Sequence, residues 1–237
     1  MIDFSLLKSL VIPQGNVQRF AVNGVYLWKK IKYKRELLYL ESNGTQFIDT
    51  GIGGNNTNLR IELAFEILSF TRYGGIFGNH TAETSNCWRM IQYSSDINRG
   101  YITPGSITND SRVIVLTKNT KHTFSINAKG YTMNSTTVTF SKLTLGTDNN
   151  TNICVFSSKD GGTTSKMRLY YFKIYDGGVL IRDLIPVLDL NDVPCMYDKV
   201  SDELFYNKGD GEFSYGELLP RIPSEYQEVE YLESSGT

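Results

Sequence analysis

The chain has 237 residues, 40% of them hydrophobic, and a formal net charge of −1 at pH 7. This hydrophobic content is enough for a packed core and excludes a mainly disordered chain. The near-neutral charge excludes nucleic-acid binding by the whole molecule, because neutralising phosphates requires a basic surface. No apolar run reaches the ~18 residues of a membrane-spanning helix, so we expect no membrane insertion.

Residues 1–34 predict a small β-hairpin unit. The stretches VQRFAV and VYLWKK flank Asn23-Gly24, and Asn-Gly is the strongest short-range hairpin signal because both turn residues need positive φ. The opening residues, MIDFSLLKSLVIP, are not a secretion signal, since Asp3 stands where positive charge is expected and Lys8 interrupts the apolar stretch. We therefore expect a protein that is made in the cytoplasm and leaves it only with a particle assembled there.

Residues 35–218 predict an all-β domain in which two antiparallel sheets pack as a sandwich. The clearest period-two pattern is LRIELAFEI at Leu59–Ile67. Its apolar residues should face the core, and Arg60, Glu62, Ala64 and Glu66 should face water. The same pattern and intervening turn signals predict further strands at Arg112–Thr117, Lys121–Asn127, Val138–Leu145 and Lys166–Tyr175.

Residues 219–237 predict a linker followed by the truncated start of a second, similar module. Pro220 and Pro223 are typical of an extended linker. The segment YLESSGT at 231–237 repeats YLESNGT at 39–45, differing only where Ser235 replaces Asn43. Such an internal repeat indicates a modular protein. The alternative is that this tail is a final strand of the same sandwich.

The three cysteines, Cys87, Cys154 and Cys195, are odd in number and far apart. No CxxC pair occurs and the chain has only two histidines, so no zinc pattern can be assembled. We expect three free, buried thiols in a protein made in a reducing compartment.

Two long stretches resemble the ends of a known kind of module. ELLYLESNGTQFIDTGI (36–52) and MRLYYFKIYDGGVLIRDLIPVLDLNDVPCMYDKVSDELFYNKGDGEF (167–213) resemble the opening and closing motifs of concanavalin A-like, laminin-G-like modules. These modules occur in phage tail, baseplate and receptor-binding proteins of Gram-positive gut bacteria and their prophages. Asp202 stands where such modules often carry glycine. VQRFAVNGVYLWK (17–29) resembles the short virion-side segment that often precedes them.

The resemblance implies a jelly-roll sandwich and a place in the virion, in the phage tail or baseplate. It also implies the partners: a bacterial cell-surface glycan, other tail or baseplate proteins bound through residues 1–34, and further copies of the chain. We expect a homo-oligomer, with a trimer favoured, that acts in host-surface carbohydrate recognition. Most of the motif residues are expected to specify the fold: Gly44 and Gly51 can turn sharply, and Arg182-Asp183 is expected to form an ion pair at a strand end.

The carboxylates of the sequence do not predict catalysis. Glucanases of this fold carry Glu-x-Asp-x-Glu on one strand, which places two carboxylates at the ~5–5.5 Å separation of a retaining site. This spacing does not occur here. We therefore expect no enzymatic activity and no cofactor, calcium excepted.

Two sets of residues are candidates for binding sites in the middle of the chain. Sugar sites stack an aromatic ring on a pyranose and surround it with polar groups. The candidates for such a site are Tyr73, Trp88, Arg89, Tyr93, Asn98, Arg99, Tyr101 and Tyr131. A calcium site could use the oxygen-rich Asp148, Asn150 and Asn152. For Trp88 the alternative is a core position, and for residues 148–152 it is an ordinary turn.

Two other functions remain open from the sequence. The module could be a purely structural virion decoration or spacer without a ligand. It could also be a bacterial adhesin or glycosidase of the same fold, although the chain carries no signal peptide.

Overall fold

The computed structural model describes residues 19–22, 25–29, 32–81, 87–92, 99–104, 112–140 and 149–220. Within them the regular structure is all β-strand, which confirms the predicted fold class. The strands in chain order are β1 (Arg19–Val22), β2 (Val25–Lys29), β3 (Tyr33–Glu36), β4 (Leu40–Asn43), β5 (Ile48–Gly53), β6 (Leu59–Ser69), β7 (Gly75–Gly78), β8 (Trp88–Gln92), β9 (Arg99–Pro104), β10 (Arg112–Val115), β11 (Lys121–Asn127), β12 (Gly130–Met133), β13 (Thr136–Thr139), β14 (Asn152–Val155), β15 (Lys166–Asp176), β16 (Val179–Asp189), β17 (Pro194–Asp198), β18 (Glu203–Phe205) and β19 (Ser214–Tyr215).

The chain divides into two compact units, residues 1–32 and 33–237. In the first unit β1 and β2 pair antiparallel, with Phe20 opposite Trp28 and Val22 opposite Val25. This pairing confirms the predicted hairpin. Its turn residues, Asn23 and Gly24, lie outside the described residues.

The described residues of the second unit form two antiparallel sheets. The larger has eleven described strands: its main path runs β13-β12-β11-β6-β15-β16-β17-β18, and β3, β4 and β19 attach beside it. The smaller has six described strands in the order β10-β9-β8-β7-β14-β5. Phe77 of the smaller sheet packs against Phe124 and Phe172 of the larger, with ring centroids 6.4 and 5.9 Å apart. One hydrophobic core therefore joins the sheets into a β-sandwich.

Strand β6 shows why the period-two pattern specifies this fold. Every second residue faces the core and is at most 1% exposed: Leu59, Ile61, Leu63, Phe65 and Ile67. The other face was predicted to lie in water, and for Ala64 and Glu66 this prediction is wrong. Larger side chains of β15 cover that face: the Tyr170 hydroxyl donates a hydrogen bond to Glu66 over 2.9 Å, and Arg168 approaches the same carboxylate at 3.4 Å.

The other predicted strands agree with the structure in position and differ at their ends. Strand β11 has the predicted bounds, β10 ends at Val115, and β15 extends to Asp176. The strand predicted at 138–145 begins earlier, at Thr136, and its described part ends at Thr139; residues 141–148 lie outside the described residues. The YLES motif contributes β4, which pairs with β15 and β19.

Several turn residues have φ in the left-handed region, as the glycines in these turns predict. Gly44 has φ of 103° and Gly51 of 69°. Asp202 has φ of 61°, which explains why a glycine suits this position. Aspartate tolerates such a conformation better than most residues, and here its side chain also accepts a hydrogen bond from the Tyr197 hydroxyl over 2.6 Å.

Cys87, Cys154 and Cys195 are all buried, as expected, and Cys154 and Cys195 are free thiols. Burial raises the pKa of both Cys154 and Cys195 to about 12, so these thiols are protonated at neutral pH. No helix within the described part of the chain is long and apolar enough to cross a membrane. The tail repeat at 231–237 lies outside the described residues.

Candidate functional site

Two of the predicted sugar-binding residues belong to the buried interior. Trp88 is 2% exposed, and its indole Nε1 donates a hydrogen bond to the carbonyl of Asn56 over 3.0 Å. Arg89, its neighbour on β8, is 6% exposed. A buried ring offers no face to a sugar, so the prediction of a stacking platform at Trp88 is wrong and its alternative, a core position, is correct.

Of the other predicted residues, the structure describes the side chains of Tyr73 and Tyr131, which lie in different parts of the sandwich. Tyr131 is half-buried between Phe124 and Phe140, with centroid distances of 5.8 and 6.1 Å. Tyr73 is 47% exposed on the turn between β6 and β7. The remaining predicted residues are described in their backbone alone or lie outside the described residues: Arg99 and Tyr101 in the first case, Tyr93 and Asn98 in the second.

The described part of the Asn-rich segment, residues 149–152, contacts both the loop after β7 and strand β5. The side chains of Asn149 and Thr151 both donate hydrogen bonds to the carbonyl of Asn79, over 2.6 and 2.9 Å. The side-chain amide of Asn152 donates a hydrogen bond to Asp49 Oδ2 over 3.2 Å. Asp148 lies outside the described residues, and no group of three or more His, Cys, Asp or Glu side chains that could hold a metal occurs within them.

A cleft of about 280 Å³ opens instead where β5 meets the segment after β18. Residues 49–51 and 204–208 form it, although more than 150 positions separate them in the sequence. It is lined by Asp49, Gly51, Leu204, Phe205, Tyr206 and Lys208. We call it the Asp49 cleft.

Tyr206 is the exposed aromatic residue of this cleft. Its side chain is 41% exposed, yet its hydroxyl is anchored by a hydrogen bond to Asp189 Oδ2 over 3.0 Å. Burial and this hydrogen bond raise the pKa of Tyr206 to about 12. The hydroxyl therefore stays protonated at neutral pH, and the ring is fixed in place.

Asp189 is the buried anchor of Tyr206. Its Oδ1 accepts hydrogen bonds from the backbone N–H groups of Asn191 and Val193, each 2.8 Å long. Burial raises the pKa of this carboxyl, but these two bonds and the one from Tyr206 outweigh it and hold the pKa below its usual value. Asp189 is thus a charged acceptor that fixes both the loop 190–193 and the Tyr206 ring.

The polar side of the Asp49 cleft is also held in place. Asp49 Oδ1 accepts a hydrogen bond from Gly51 N over 2.8 Å, and Oδ2 accepts the one from Asn152. A carboxylate has about four lone-pair sites, so Asp49 keeps acceptor capacity for a ligand hydroxyl. Lys208 adds a cation at the same cleft.

Arg182 contacts Phe205, one of the residues that line the Asp49 cleft. Its Nε donates to the carbonyl of Thr50 over 2.9 Å, and its guanidinium lies 5.2 Å from the centre of the Phe205 ring. The predicted ion pair of Arg182 with Asp183 is wrong, because neighbouring residues on a strand point to opposite faces. Arg182 pairs with the fully buried Asp198 at 3.1 Å, and Asp183 pairs with Lys173 at 3.4 Å.

A second cleft of about 200 Å³ meets the first at Tyr206. We call it the Glu212 cleft. It is lined by Val193, Pro194, Tyr206, Asn207, Gly209, Gly211, Glu212 and Phe213. Asn207 stabilises the fold here, since its side chain forms hydrogen bonds with the backbone of Phe47, Gly209 and Gly211.

The sequence-predicted Tyr73 lines neither of these clefts. It lies on the turn between β6 and β7, where its backbone N–H donates a hydrogen bond to the carbonyl of Gln92 over 2.9 Å.

The arrangement combines a rigid, exposed ring with hydrogen-bonding groups on fixed backbone, which suits a polar ligand that also has an apolar face. No protein-family model matches the sequence, and no curated protein matches it either. A function is therefore inferred from the geometry of the site and from the sequence motifs.

Proposed function

We propose that this protein binds bacterial-surface carbohydrate without cleaving it, as a component of a bacteriophage tail or baseplate. The observation that carries the proposal is the exposed Tyr206 ring, anchored on buried Asp189 and shared by two clefts. A pyranose has an apolar face that stacks on such a ring and hydroxyls that bond to groups such as Asp49 and Lys208.

Tyr206 is favoured over the tyrosines on the outer face of the larger sheet. Arg60 lies 3.8 Å from the centre of the Tyr175 ring, and Lys121 lies 4.1 Å from that of Tyr170. A cation over a ring occupies a face on which a sugar would stack. These outer rings are therefore better explained as part of the sheet than as platforms.

The place in a virion is supported by the motif resemblance and not by the cleft. The segments 36–52 and 167–213 resemble modules of phage tail proteins, and 17–29 resembles their virion-side segment. In this proposal the N-terminal unit attaches the protein to other tail or baseplate proteins, the chain forms a homo-oligomer, and the sandwich contacts the host surface.

The test measures binding of the labelled protein to cells of Gram-positive gut bacteria, with purified wall polysaccharide as competitor. We expect saturable binding that the polysaccharide abolishes, and a loss of about tenfold or more in affinity for Tyr206→Ala, because ring stacking supplies much of the affinity. Tyr73→Ala, which removes a similarly exposed ring that lines neither cleft, should bind like the wild type.

Three results would count against the proposal. Cell binding that the polysaccharide leaves unchanged, or no cell binding at all, would favour a structural module without a ligand. Release of reducing ends from the polysaccharide above a heat-inactivated control would show that the protein is a glycosidase.

A further inference from the structure

We infer that the two clefts bind consecutive sugars of one chain, so that the ligand is a stretch of at least two linked sugars and not a single terminal residue. The inference rests on the proposed function and names its ligand class. It follows from the way in which the clefts meet at one side chain.

The sizes of the clefts point to one sugar in each. The Asp49 cleft has about 280 Å³ and the Glu212 cleft about 200 Å³, whereas sites that bury drug-sized ligands have ~300–1,000 Å³. Each cleft alone is below that range, and the two together fall within it. Because Tyr206 lines both, a ligand that crosses its ring occupies both clefts at once.

Each cleft offers charged groups beside apolar side chains, which suits one sugar in each. The Asp49 cleft carries a carboxylate and, in Lys208, a cation, beside Leu204 and Phe205. The Glu212 cleft places one carboxylate beside Val193, Pro194 and Phe213. In both clefts sugar hydroxyls are expected at the charged groups and an apolar ring face at the apolar side chains.

The segment between the clefts is rigid, so both are preformed. Asn207 Oδ1 accepts hydrogen bonds from the backbone of Phe47 and Gly209, at 3.1 and 2.9 Å. Thr45 Oγ1 donates to the carbonyl of Asp210 over 2.8 Å. A preformed site loses little ordering entropy on binding, and the second sugar therefore adds its contacts at low cost.

The experiment uses calorimetric titration of the full chain with size-sorted fragments of the wall polysaccharide that it binds. We expect the single sugars to bind at least tenfold more weakly than the disaccharide, and longer fragments to gain little more. Asp49→Asn and Glu212→Gln, each nearly isosteric, should both weaken binding of the disaccharide. Glu212→Gln should leave the melting temperature unchanged, and Asp49→Asn, which loses the hydrogen bond from Asn152, is titrated at a temperature at which it is fully folded.

The outcomes separate this inference from the proposed function. Single sugars that bind as tightly as the disaccharide, or a disaccharide affinity that only one of the two variants changes, would overturn the two-sugar site while leaving carbohydrate binding in place. If neither the intact polysaccharide nor any fragment binds, the proposed function fails and the inference fails with it.

Discussion

The hydroxyl of Tyr206 donates a hydrogen bond to Oδ2 of Asp189 over 3.0 Å, so that a residue 41% exposed to solvent is fixed to one that is 4% exposed. A hydrogen bond to a charged group contributes ~1.5–3 kcal/mol when it is well protected. The exposure of the ring reduces this contribution. The bond therefore makes a surface residue part of the folded framework.

Tyr206→Phe keeps the ring and removes this bond. We expect the free energy of unfolding to fall by about 1–2 kcal/mol, because the buried Asp189 loses one of its donors. Tyr73→Phe, at a similarly exposed tyrosine, should change it by less than ~0.5 kcal/mol. Urea denaturation of both variants measures the difference, and equal stabilities would show that the bond does not anchor the ring.

Protonation of Asp189 should make the free energy of unfolding depend on pH in the acidic range. Its pKa is lower in the folded protein than the ordinary 3.8, so the stabilisation that it provides is complete above that value and is lost as pH falls through the folded pKa. Below pH 3.8 the wild type should therefore lose stability more steeply than Asp189→Asn, which cannot titrate. Parallel curves of unfolding free energy against pH would contradict this assignment of the acid dependence.

The buried pair of Arg182 and Asp198 should be far more important for stability than a surface pair. Asp198→Asn leaves the Arg182 guanidinium, whose side chain is 17% exposed, without its counter-charge. Breaking a buried pair in this way costs ~3–5 kcal/mol.

The matched control is Asp192→Asn in the pair with Lys34, whose side chains are 60% and 50% exposed. That change should cost less than ~1 kcal/mol. Thermal unfolding of both variants provides the comparison. A similar cost for the two would mean that Arg182 finds another acceptor.

Two glycines on β5 offer a test of backbone geometry at the Asp49 cleft. Gly51 has φ of 69°, where an alanine costs ~1–2 kcal/mol. Gly53 lies outside the left-handed region and has open space around an added Cβ, so Gly53→Ala should be nearly neutral. Chemical denaturation measures both variants. If Gly51→Ala is as stable as Gly53→Ala, then the positive φ at position 51 does not strain an alanine.

The period-two pattern predicted the local part of the fold well because each strand carries its own signal. Between Leu59 and Ile67 every second residue is large and apolar, and these residues face the core. Glu66 was mispredicted because its burial depends on Tyr170 and Arg168 of β15, about a hundred residues away. The partner of Arg182 was missed for a similar reason, since Asp198 lies on another strand.

The candidate site could not be predicted because long-range strand pairing creates it. Asp49 and Tyr206 both lie within motifs that were interpreted as framework. One local signal was present. Tyr206 directly follows the short apolar run Leu204-Phe205 and precedes Asn-Lys-Gly, and this pattern indicates an exposed ring at a turn. Trp88 attracted attention because tryptophan is common in sugar sites, but its size also suits the core.

The most direct test of carbohydrate binding at Tyr206 is a map of backbone amide chemical shifts as wall polysaccharide is added to the isotope-labelled protein. The account predicts saturable changes at residues 49–51 and 204–213, which line the two clefts, and none at Tyr73. Changes on the outer face around Tyr170 and Tyr175, or no changes at a polysaccharide concentration that blocks cell binding, would contradict it.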